Sequence, residues 1–281
     1  MEKIFLFLLL LLICAVPLYL LLIRGRNNAP GAEKLYGWAY AHRGLHNKPA
    51  VPENSLAAFR LAAEQGYGAE LDVHLLADGG LAVIHDYSLE RTVGISGKVE
   101  DLTTTQLKNC HLEGSQEVVP TLQEVLKLVA GRVPLIIELK SVKNNAFQLT
   151  EAVSQVLKSY EGVYALESFD PRCLFWLKRR HPEIIRGQLS ENFLKNTAHL
   201  GKFVDFVQTY LFLNWLVKPD FIAYRFAERH NPSNQLCLRF WGMQGAAWTI
   251  TAQEDLELCL TEGLLPIFEG FEAKLPVKQK S

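Results

Sequence analysis

The chain has 281 residues, 49% of them hydrophobic, so it can bury one large core or two small ones. Its 29 basic and 30 acidic residues leave a formal charge of -1, which excludes a general attraction to nucleic acid. The cysteines form no CxxC pair or His-Cys cluster, which argues against a zinc site or a disulfide framework. Buried, reduced thiols are expected instead. The five cysteines are Cys14, Cys110, Cys173, Cys237 and Cys259.

The first predicted element is a helix that spans a membrane. No charged residue occurs from Ile4 to Ile23, and Arg24 and Arg26 end this segment. At about 1.5 Å per residue, such a helix crosses the roughly 30 Å hydrocarbon core of a bilayer. We therefore predict a transmembrane anchor over 1–26 and a single-pass membrane localisation, with a cleaved signal peptide as the alternative. The basic residues after the span and the unpaired cysteines favour the cytoplasmic face for the domain that follows.

A polar linker over 27–35 is predicted to lead into one folded domain over 36–281. This domain alternates short apolar strands with amphipathic helices, a pattern that is typical of a parallel α/β domain. Asn54 is predicted to cap a helix over 55–65. The stretch 87–119 has weak periodicity and is predicted to be an insertion. Eight parallel strands in about 240 residues predict a TIM (β/α)8 barrel. The predicted strands begin near 38, 69, 134, 163, 184, 221, 246 and 265.

A hairpin is predicted at the end of the second strand. Asp and Gly tolerate the positive φ that tight turns need, so Asp78-Gly79 is expected to turn the chain back antiparallel. Counting outward from this turn brings His85 and Asp86 level with Asp72 and Val73. A histidine and carboxylates would then meet at one end of a strand pair.

Three carboxylates lie near the predicted ends of neighbouring strands. Glu70 and Asp72 are two residues apart, so both leave the same face of the second strand. Glu138 occupies the corresponding part of the third strand. Carboxylate oxygens suit Ca²⁺ or Mg²⁺ better than Zn²⁺, and an acidic interior without a cation would repel itself. Structural ion pairs with nearby cations are the alternative interpretation.

Two histidines and two cations also lie where strands end. His42 and His85 are candidates for acid-base chemistry because imidazole titrates near neutrality. Arg43 and Lys140 supply fixed positive charge that suits a phosphate group. Since barrel enzymes carry their active sites at the C-terminal ends of the strands, these residues predict phosphoryl transfer from a phosphodiester.

Short motifs follow one another in a fixed order along the chain. They are Ala41-His-Arg-Gly44, Pro52-Glu-Asn-Ser55, Glu70-Leu-Asp-Val73, Val83-Ile-His-Asp86, Leu89-Glu-Arg-Thr92, Glu138-Leu-Lys140, Glu167-Ser-Phe169 and Trp248-Thr-Ile250. With this order and spacing, the chain resembles the glycerophosphodiester phosphodiesterase family over about residues 38–270.

The resemblance implies a TIM barrel with a small insertion after the second-strand hairpin. It also implies hydrolysis of glycerophosphodiesters, which are deacylated phospholipids, to sn-glycerol 3-phosphate and an alcohol. The family's divalent metal, Ca²⁺ or Mg²⁺, would be held at the positions matching Glu70, Asp72 and Glu138.

The resemblance also implies residue roles. His42 would assist the attack, His85 would protonate the leaving alcohol, and Arg43 and Lys140 would contact the phosphate. Four further positions are expected to line the site, namely Glu53, Ser168, Phe169 and Trp248.

Two segments depart from the family pattern. Residues 262–270 replace a Gly-Val-Asp-Gly-Ile-Ile-Thr-Asp-like run, and Trp248-Thr-Ile-Thr251 replaces Trp-Thr-Val-Asn. These differences bear on substrate fit and leave the reaction type unchanged. The apolar run 203–226 and the predicted anchor keep a lysophospholipase D-type activity as the alternative. A non-catalytic membrane sensor is disfavoured because both histidines and all three carboxylates are present.

Overall fold

Eight parallel strands close into a barrel in the computed structural model of the chain. The two-residue strand β1 (Tyr40–Ala41) completes the closure because it pairs with both β2 (Gly68–Leu75) and β9 (Leu265–Phe268). The short strand β3 (Leu81–Val83) is antiparallel to β2. The other strands are β4 (Leu135–Leu139), β5 (Tyr164–Ser168), β6 (Arg186–Ser190), β7 (Phe221–Arg225) and β8 (Gln244–Ile250). The predicted barrel is thus confirmed.

The structure describes residues 1–27, 29–47, 50–195 and 201–275, without the side chains at 8 and 10–12.

Helices follow most of the barrel strands. The helices are α1 (Glu2–Ile23), α2 (Leu56–Glu64), α3 (Glu90–Val93), α4 (Thr104–Leu107), α5 (Leu122–Val129), α6 (Ala146–Leu157), α7 (Pro171–Arg180), α8 (Lys202–Thr209), α9 (Asn214–Val217), α10 (Pro232–Arg239) and α11 (Gln253–Thr261). Short 3₁₀ helices lie at Ala32–Leu35, Val99–Asp101, Leu112–Gly114, Phe193–Lys195 and Phe226–Glu228.

The cap of α2 differs from the prediction by one residue. Ser55, not Asn54, is the N-cap, and its hydroxyl oxygen accepts a hydrogen bond from the Ala58 amide at 3.1 Å. Asn54 has a φ of 55°, and its side chain turns inward to donate to Asp72 Oδ2 at 2.8 Å. Asn tolerates this left-handed conformation better than most residues, so the amide that seemed a cap supports the barrel interior instead.

The floor of the barrel is formed by residues that precede β1. Ala32 and Leu35, on a 3₁₀ helix, pack against Tyr40 and Ile267 inside the barrel. The Tyr40 hydroxyl donates to the carbonyl oxygen of Leu35 at 2.8 Å. The last residues of the predicted linker over 27–35 therefore pack as part of the barrel.

The N-terminal apolar segment packs its end onto the outside of the barrel. Ile23 is fully buried, Tyr19 Oη lies 2.6 Å from Ser233 Oγ, and Trp241 Nε1 donates to the Leu20 carbonyl at 3.1 Å. In the part of the chain that the structure describes, no helix combines the length and apolarity needed to cross a membrane. The predicted transmembrane anchor and single-pass membrane localisation are therefore wrong. Part of the apolarity that suggested them serves packing against the domain.

The stretch 87–119 folds as a small unit beside the β2–β3 hairpin. Its apolar residues, including Leu89, Val99 and Leu107, form a separate cluster with Leu76 and Ile84. No helix in this stretch exceeds four residues. Elements this short show no helical period, which explains why the sequence pattern there is weak.

The hairpin register differs from the prediction. Val73 pairs with Val83, so His85 and Asp86 lie beyond the paired residues and are not level with Asp72 and Val73. The turn is wider than two residues, because Leu76 donates its amide hydrogen to the carbonyl of Gly80 at 2.8 Å. His85 is consequently positioned by contacts other than the strand ladder.

Candidate active site

Strands β2 and β4 bring the predicted carboxylates together. In the register of the parallel strands, Asp72 pairs with Glu138, and Glu70 precedes Asp72 by one full period of the strand. All three side chains are buried, and one carboxylate oxygen from each lies within 4.8 Å of the others. Among the described residues, this is the group of acidic side chains that is arranged to hold a metal ion.

The pKa values of these three carboxylates are shifted in different directions. Burial, followed by repulsion from Asp72 and Glu138, raises the pKa of Glu70 well above its usual range. Burial also raises the pKa of Glu138. Burial would raise the pKa of Asp72 as well, but the charges of Lys140, His85 and Arg43 hold it far below its usual range. A bound cation would relieve the repulsion among these buried carboxylates, so the cluster suits a cation site.

Lys140 occupies the space between two of these carboxylates. Its Nζ lies 2.9 Å from Glu138 Oε1 and 3.1 Å from Asp72 Oδ1. Apart from this ion pair with Lys140, buried Asp72 Oδ1 has no hydrogen-bond partner in the described part of the chain. Buried carboxylate oxygens in an oxygen-only donor set match the ligands that Ca²⁺ and Mg²⁺ prefer.

His42 lies between the acidic cluster and the end of the last strand. Its Nδ1 is 2.6 Å from Glu269 Oε2, and its Nε2 is 3.9 Å from Glu70 Oε2. His46 Nε2 lies 3.6 Å from the same Glu269 oxygen. The hydrogen bond from His42, followed by the contact with His46, holds the pKa of Glu269 well below its usual range. Glu269 therefore fixes the ring of His42 with Nε2 toward the acidic cluster.

The ring of His85 is oriented in a similar way, through a contact at its Nδ1. His85 Nδ1 lies 2.6 Å from Asp86 Oδ1, and Asp86 Oδ2 accepts a hydrogen bond from Arg91 Nε. Burial lowers the pKa of His85, Asp72 opposes this effect, and the positive charges of Lys140 and Arg43 add to it. The Asp86 contact leaves Nε2 of His85 available for a substrate.

Arg43 is joined to the same network through a buried glutamate. Arg43 NH1 donates to Glu53 Oε1 at 2.8 Å, and Arg91 NH2 donates to that oxygen at 2.7 Å. Arg91 NH1 also donates to Glu53 Oε2 at 3.1 Å. The backbone amide of Arg43 donates to Glu70 Oε2 at 3.0 Å. Glu53 is 3% exposed, so it supports two arginines from behind the site.

A cavity of about 510 Å³ opens beside His85 and Lys140. Ser168 and Phe169 are among its lining residues, but the Ser168 hydroxyl already donates to the Leu139 carbonyl at 2.8 Å. Trp248 packs edge-on against Phe169 with ring centroids 5.5 Å apart. Of the four predicted lining residues, Ser168 and Phe169 thus line this cavity, Trp248 packs on Phe169, and Glu53 is bound to Arg43.

Four residues of this region were missed as site candidates from the sequence. Glu269 follows β9 in the departing segment 262–270, and the rule that sites lie at strand ends could have identified it. Asp86 and Arg91 lie within quoted motifs, but the contacts between them depend on the fold. Glu167 is buried beside the cluster, where burial and then Glu138 raise its pKa well above the usual range.

Comparisons with known proteins agree with this architecture. A model of the glycerophosphoryl diester phosphodiesterase family matches residues 42–268. The chain is 30% identical over 234 residues to a glycerophosphodiester phosphodiesterase from Caldanaerobacter subterraneus, and the match covers 80% of this chain and 90% of that protein.

Two solved structures share the fold. A phosphodiesterase from Oleispira antarctica, in complex with the product sn-glycerol-3-phosphate, has a TM-score of 0.69 and 24% identity, covering 85% of this chain and 94% of that one. A glycerophosphodiester phosphodiesterase from Thermotoga maritima has a TM-score of 0.62 and 25% identity, covering 83% and 95%.

Proposed function

The chain belongs to the glycerophosphoryl diester phosphodiesterase family, and we propose that it hydrolyses glycerophosphodiesters to sn-glycerol 3-phosphate and an alcohol. The catalytic unit in this proposal is the barrel with its insertion, together with the 3₁₀ helix Ala32–Leu35 that packs beneath it. The observation that carries the proposal is the convergence of three buried carboxylates with two cations at the same strand ends. The relatives' names support the reaction class.

Glu70, Asp72 and Glu138 are the proposed ligands of a divalent cation, Ca²⁺ or Mg²⁺. When bound, such a cation acts as a Lewis acid that neutralises phosphate charge as it develops. The support is the oxygen-only donor set and the mutual repulsion of the buried carboxylates.

Arg43 and Lys140 are the proposed contacts to the substrate phosphate. Both are charged and mostly buried, with 15% of each side chain exposed. Arg43 is held by Glu53, so its guanidinium is oriented before the substrate arrives, which lowers the cost of ordering it on binding. Lys140 offers a compact ammonium group next to the cluster.

The two histidines are proposed to act on opposite sides of the phosphorus. Glu269 engages Nδ1 of His42, which leaves Nε2 to accept a proton from the attacking water as the new P–O bond forms. Asp86 engages Nδ1 of His85, which leaves the Nε2 proton for the leaving alcohol oxygen as the old P–O bond breaks. Water supplies the oxygen that is added overall.

Neither alternative from the sequence is favoured. A relative matched over 90% of its length is a glycerophosphodiester phosphodiesterase. The end of the apolar run 203–226 is barrel strand β7, with Phe221 and Ile222 buried. This part of the run packs in the barrel and does not form a surface for a lipid chain.

The test is release of glycerol 3-phosphate by the purified full chain. Glycerophosphoethanolamine, glycerophosphocholine and glycerophosphoglycerol are incubated with Ca²⁺, Mg²⁺ or Mn²⁺, and the product is measured with a coupled dehydrogenase. We expect turnover that a chelator abolishes and added metal restores. An absence of product from all three substrates with every metal would overturn the proposal.

A further inference from the structure

The insertion contacts the segment that carries His85 through two separate chains of residues. The first chain reaches the imidazole. Arg91, on α3 of the insertion, donates through Nε to Asp86, whose other oxygen lies 2.6 Å from His85 Nδ1. The same guanidinium makes two hydrogen bonds to Glu53, at 2.7 and 3.1 Å. Paired arginine–carboxylate contacts of this kind fix orientation as well as distance.

The second chain reaches the backbone of the same residue. Glu100, on the 3₁₀ helix Val99–Asp101 of the insertion, has its Oε1 2.6 Å from His74 Nδ1. His74 is 2% exposed, and its Nε2 donates to the carbonyl oxygen of His85 at 3.1 Å. Among the residues that the structure describes, Glu100 makes no hydrogen bond or ion pair with Asp86 or Arg91, so the two chains of contacts meet only at His85.

His85 needs such support because the strand ladder ends before it. β3 ends at Val83, and the last backbone contact toward β2 is the Ile84 amide to the Asp72 carbonyl at 3.0 Å. One third of the His85 side chain is exposed. Side chains beyond a ladder keep a single orientation only when their neighbours restrict them.

We propose that the insertion positions His85 for proton transfer, with Arg91 orienting its imidazole through Asp86 and Glu100 fixing its backbone through His74. This inference rests on the proposed function, in which His85 protonates the leaving alcohol. Arg91 and Glu100 are positioning residues and do not touch the substrate. Glu100 acts on His85 alone, whereas Arg91 also supports Arg43 through Glu53.

The dependence of the rate on the leaving group separates positioning from general stability. A glycerophosphodiester with an alkyl alcohol needs a proton as the P–O bond breaks, whereas its 4-nitrophenyl counterpart departs as a stable anion. Glu100→Ala is expected to lower kcat about 10- to 100-fold for glycerophosphoethanolamine, because small misplacements of a catalytic group cost about this much. For glycerol 3-(4-nitrophenyl) phosphate, kcat should change less than about threefold.

Two further variants sharpen the comparison. Glu100→Gln keeps an acceptor for His74 and should recover most of the lost rate. Arg91→Ala should show the same leaving-group dependence and, in addition, a higher KM on both substrates because Arg43 loses its support. Glu90→Ala is the matched control for Glu100→Ala, since Glu90 is an exposed acid of the same insertion. The matching control for Arg91→Ala is Lys108→Ala, at an exposed basic residue.

His85→Ala distinguishes the two ways in which the experiment can fail. If His85→Ala lowers the rates on both substrates equally, the role of His85 in the proposed function is wrong. If His85→Ala shows the leaving-group dependence but Glu100→Ala lowers both rates equally or neither, the positioning inference alone is overturned. Circular dichroism spectra that match wild type confirm that the variants are folded.

Discussion

His42 and Glu269 join the ends of the first and last strands of the barrel through a contact of 2.6 Å between Nδ1 and Oε2. The contact lies where the barrel closes, since the His42 backbone amide also donates to the Phe268 carbonyl at 2.8 Å. The orientation of one proposed catalytic histidine therefore depends on a residue that is 227 positions away in the sequence.

Glu269→Ala is expected to lower kcat about 10- to 100-fold with a smaller effect on KM, because the variant releases the ring of His42 without touching the proposed phosphate contacts. Steady-state kinetics with glycerophosphoethanolamine measure this. Glu272→Ala, at an exposed acid three positions along the chain, serves as the control. An unchanged kcat in Glu269→Ala would contradict an orienting role.

Added Ca²⁺ or Mg²⁺ is expected to raise the Tm of the full chain. A ligand that binds only the folded state stabilises it by mass action, by about 2.7 kcal/mol at a concentration of 100 times Kd. Differential scanning calorimetry with and without a chelator tests this independently of activity. Asp72→Asn should abolish the shift, and a wild-type Tm that stays constant across both metals would contradict the proposed ligands.

Lys140→Ala is expected to destabilise the metal-free protein by about 3 kcal/mol, because it removes the counter-charge from buried carboxylates. It should also lower kcat/KM through the lost phosphate contact. Urea unfolding in the presence of chelator gives the first quantity and steady-state kinetics the second. Lys158→Ala, at an exposed lysine, is the control. Equal stability of Lys140→Ala and wild type would show that Lys140 does not offset the carboxylates.

Glu151 should make a stability contribution that disappears in acid. Hydrogen bonds from His181, Trp176 and Gln155 lower its pKa to about 2. Because the folded-state pKa is below the ordinary value, the contribution is fully present above that ordinary value and is lost as the pH falls toward 2. Wild type should therefore exceed Glu151→Gln in unfolding free energy at pH 6, and the difference should shrink at pH 3.

Urea denaturation at both pH values measures this difference for Glu151→Gln. Glu161→Gln, at an exposed glutamate of the next loop, gives the background effect of removing one negative charge. A difference between wild type and Glu151→Gln that stays constant or grows toward pH 3 would contradict the assigned contacts.

The elements that could be predicted from the sequence are those that depend on residues close together in the chain. Strand β9 begins at residue 265 as predicted, because a short apolar run forms it, and Pro171 starts helix α7. Thr121 caps α5 with the reciprocal contact to Glu124 that its spacing suggests. The three carboxylates came together as predicted, since parallel strands with a period of two leave few alternatives.

The remaining differences come from contacts between distant residues. Apolarity alone did not reveal that Tyr19 and Ile23 pack on the barrel. Asn54 supports Asp72 and does not cap the helix, because its backbone is left-handed. His85 lies beyond the paired residues because the turn is wider than two residues. Glu269 lies in a segment that departs from the family pattern, so no motif identified it.

The packing of Ala32 and Leu35 beneath Tyr40 has a consequence for the preparation of the protein. A shortened version that begins at residue 36 would leave the lower end of the barrel open and expose its apolar interior to water. Such a version would tend to aggregate, and its poor yield would be mistaken for an inactive enzyme. Expression for assays or crystals should therefore retain the residues from Ala29 onward.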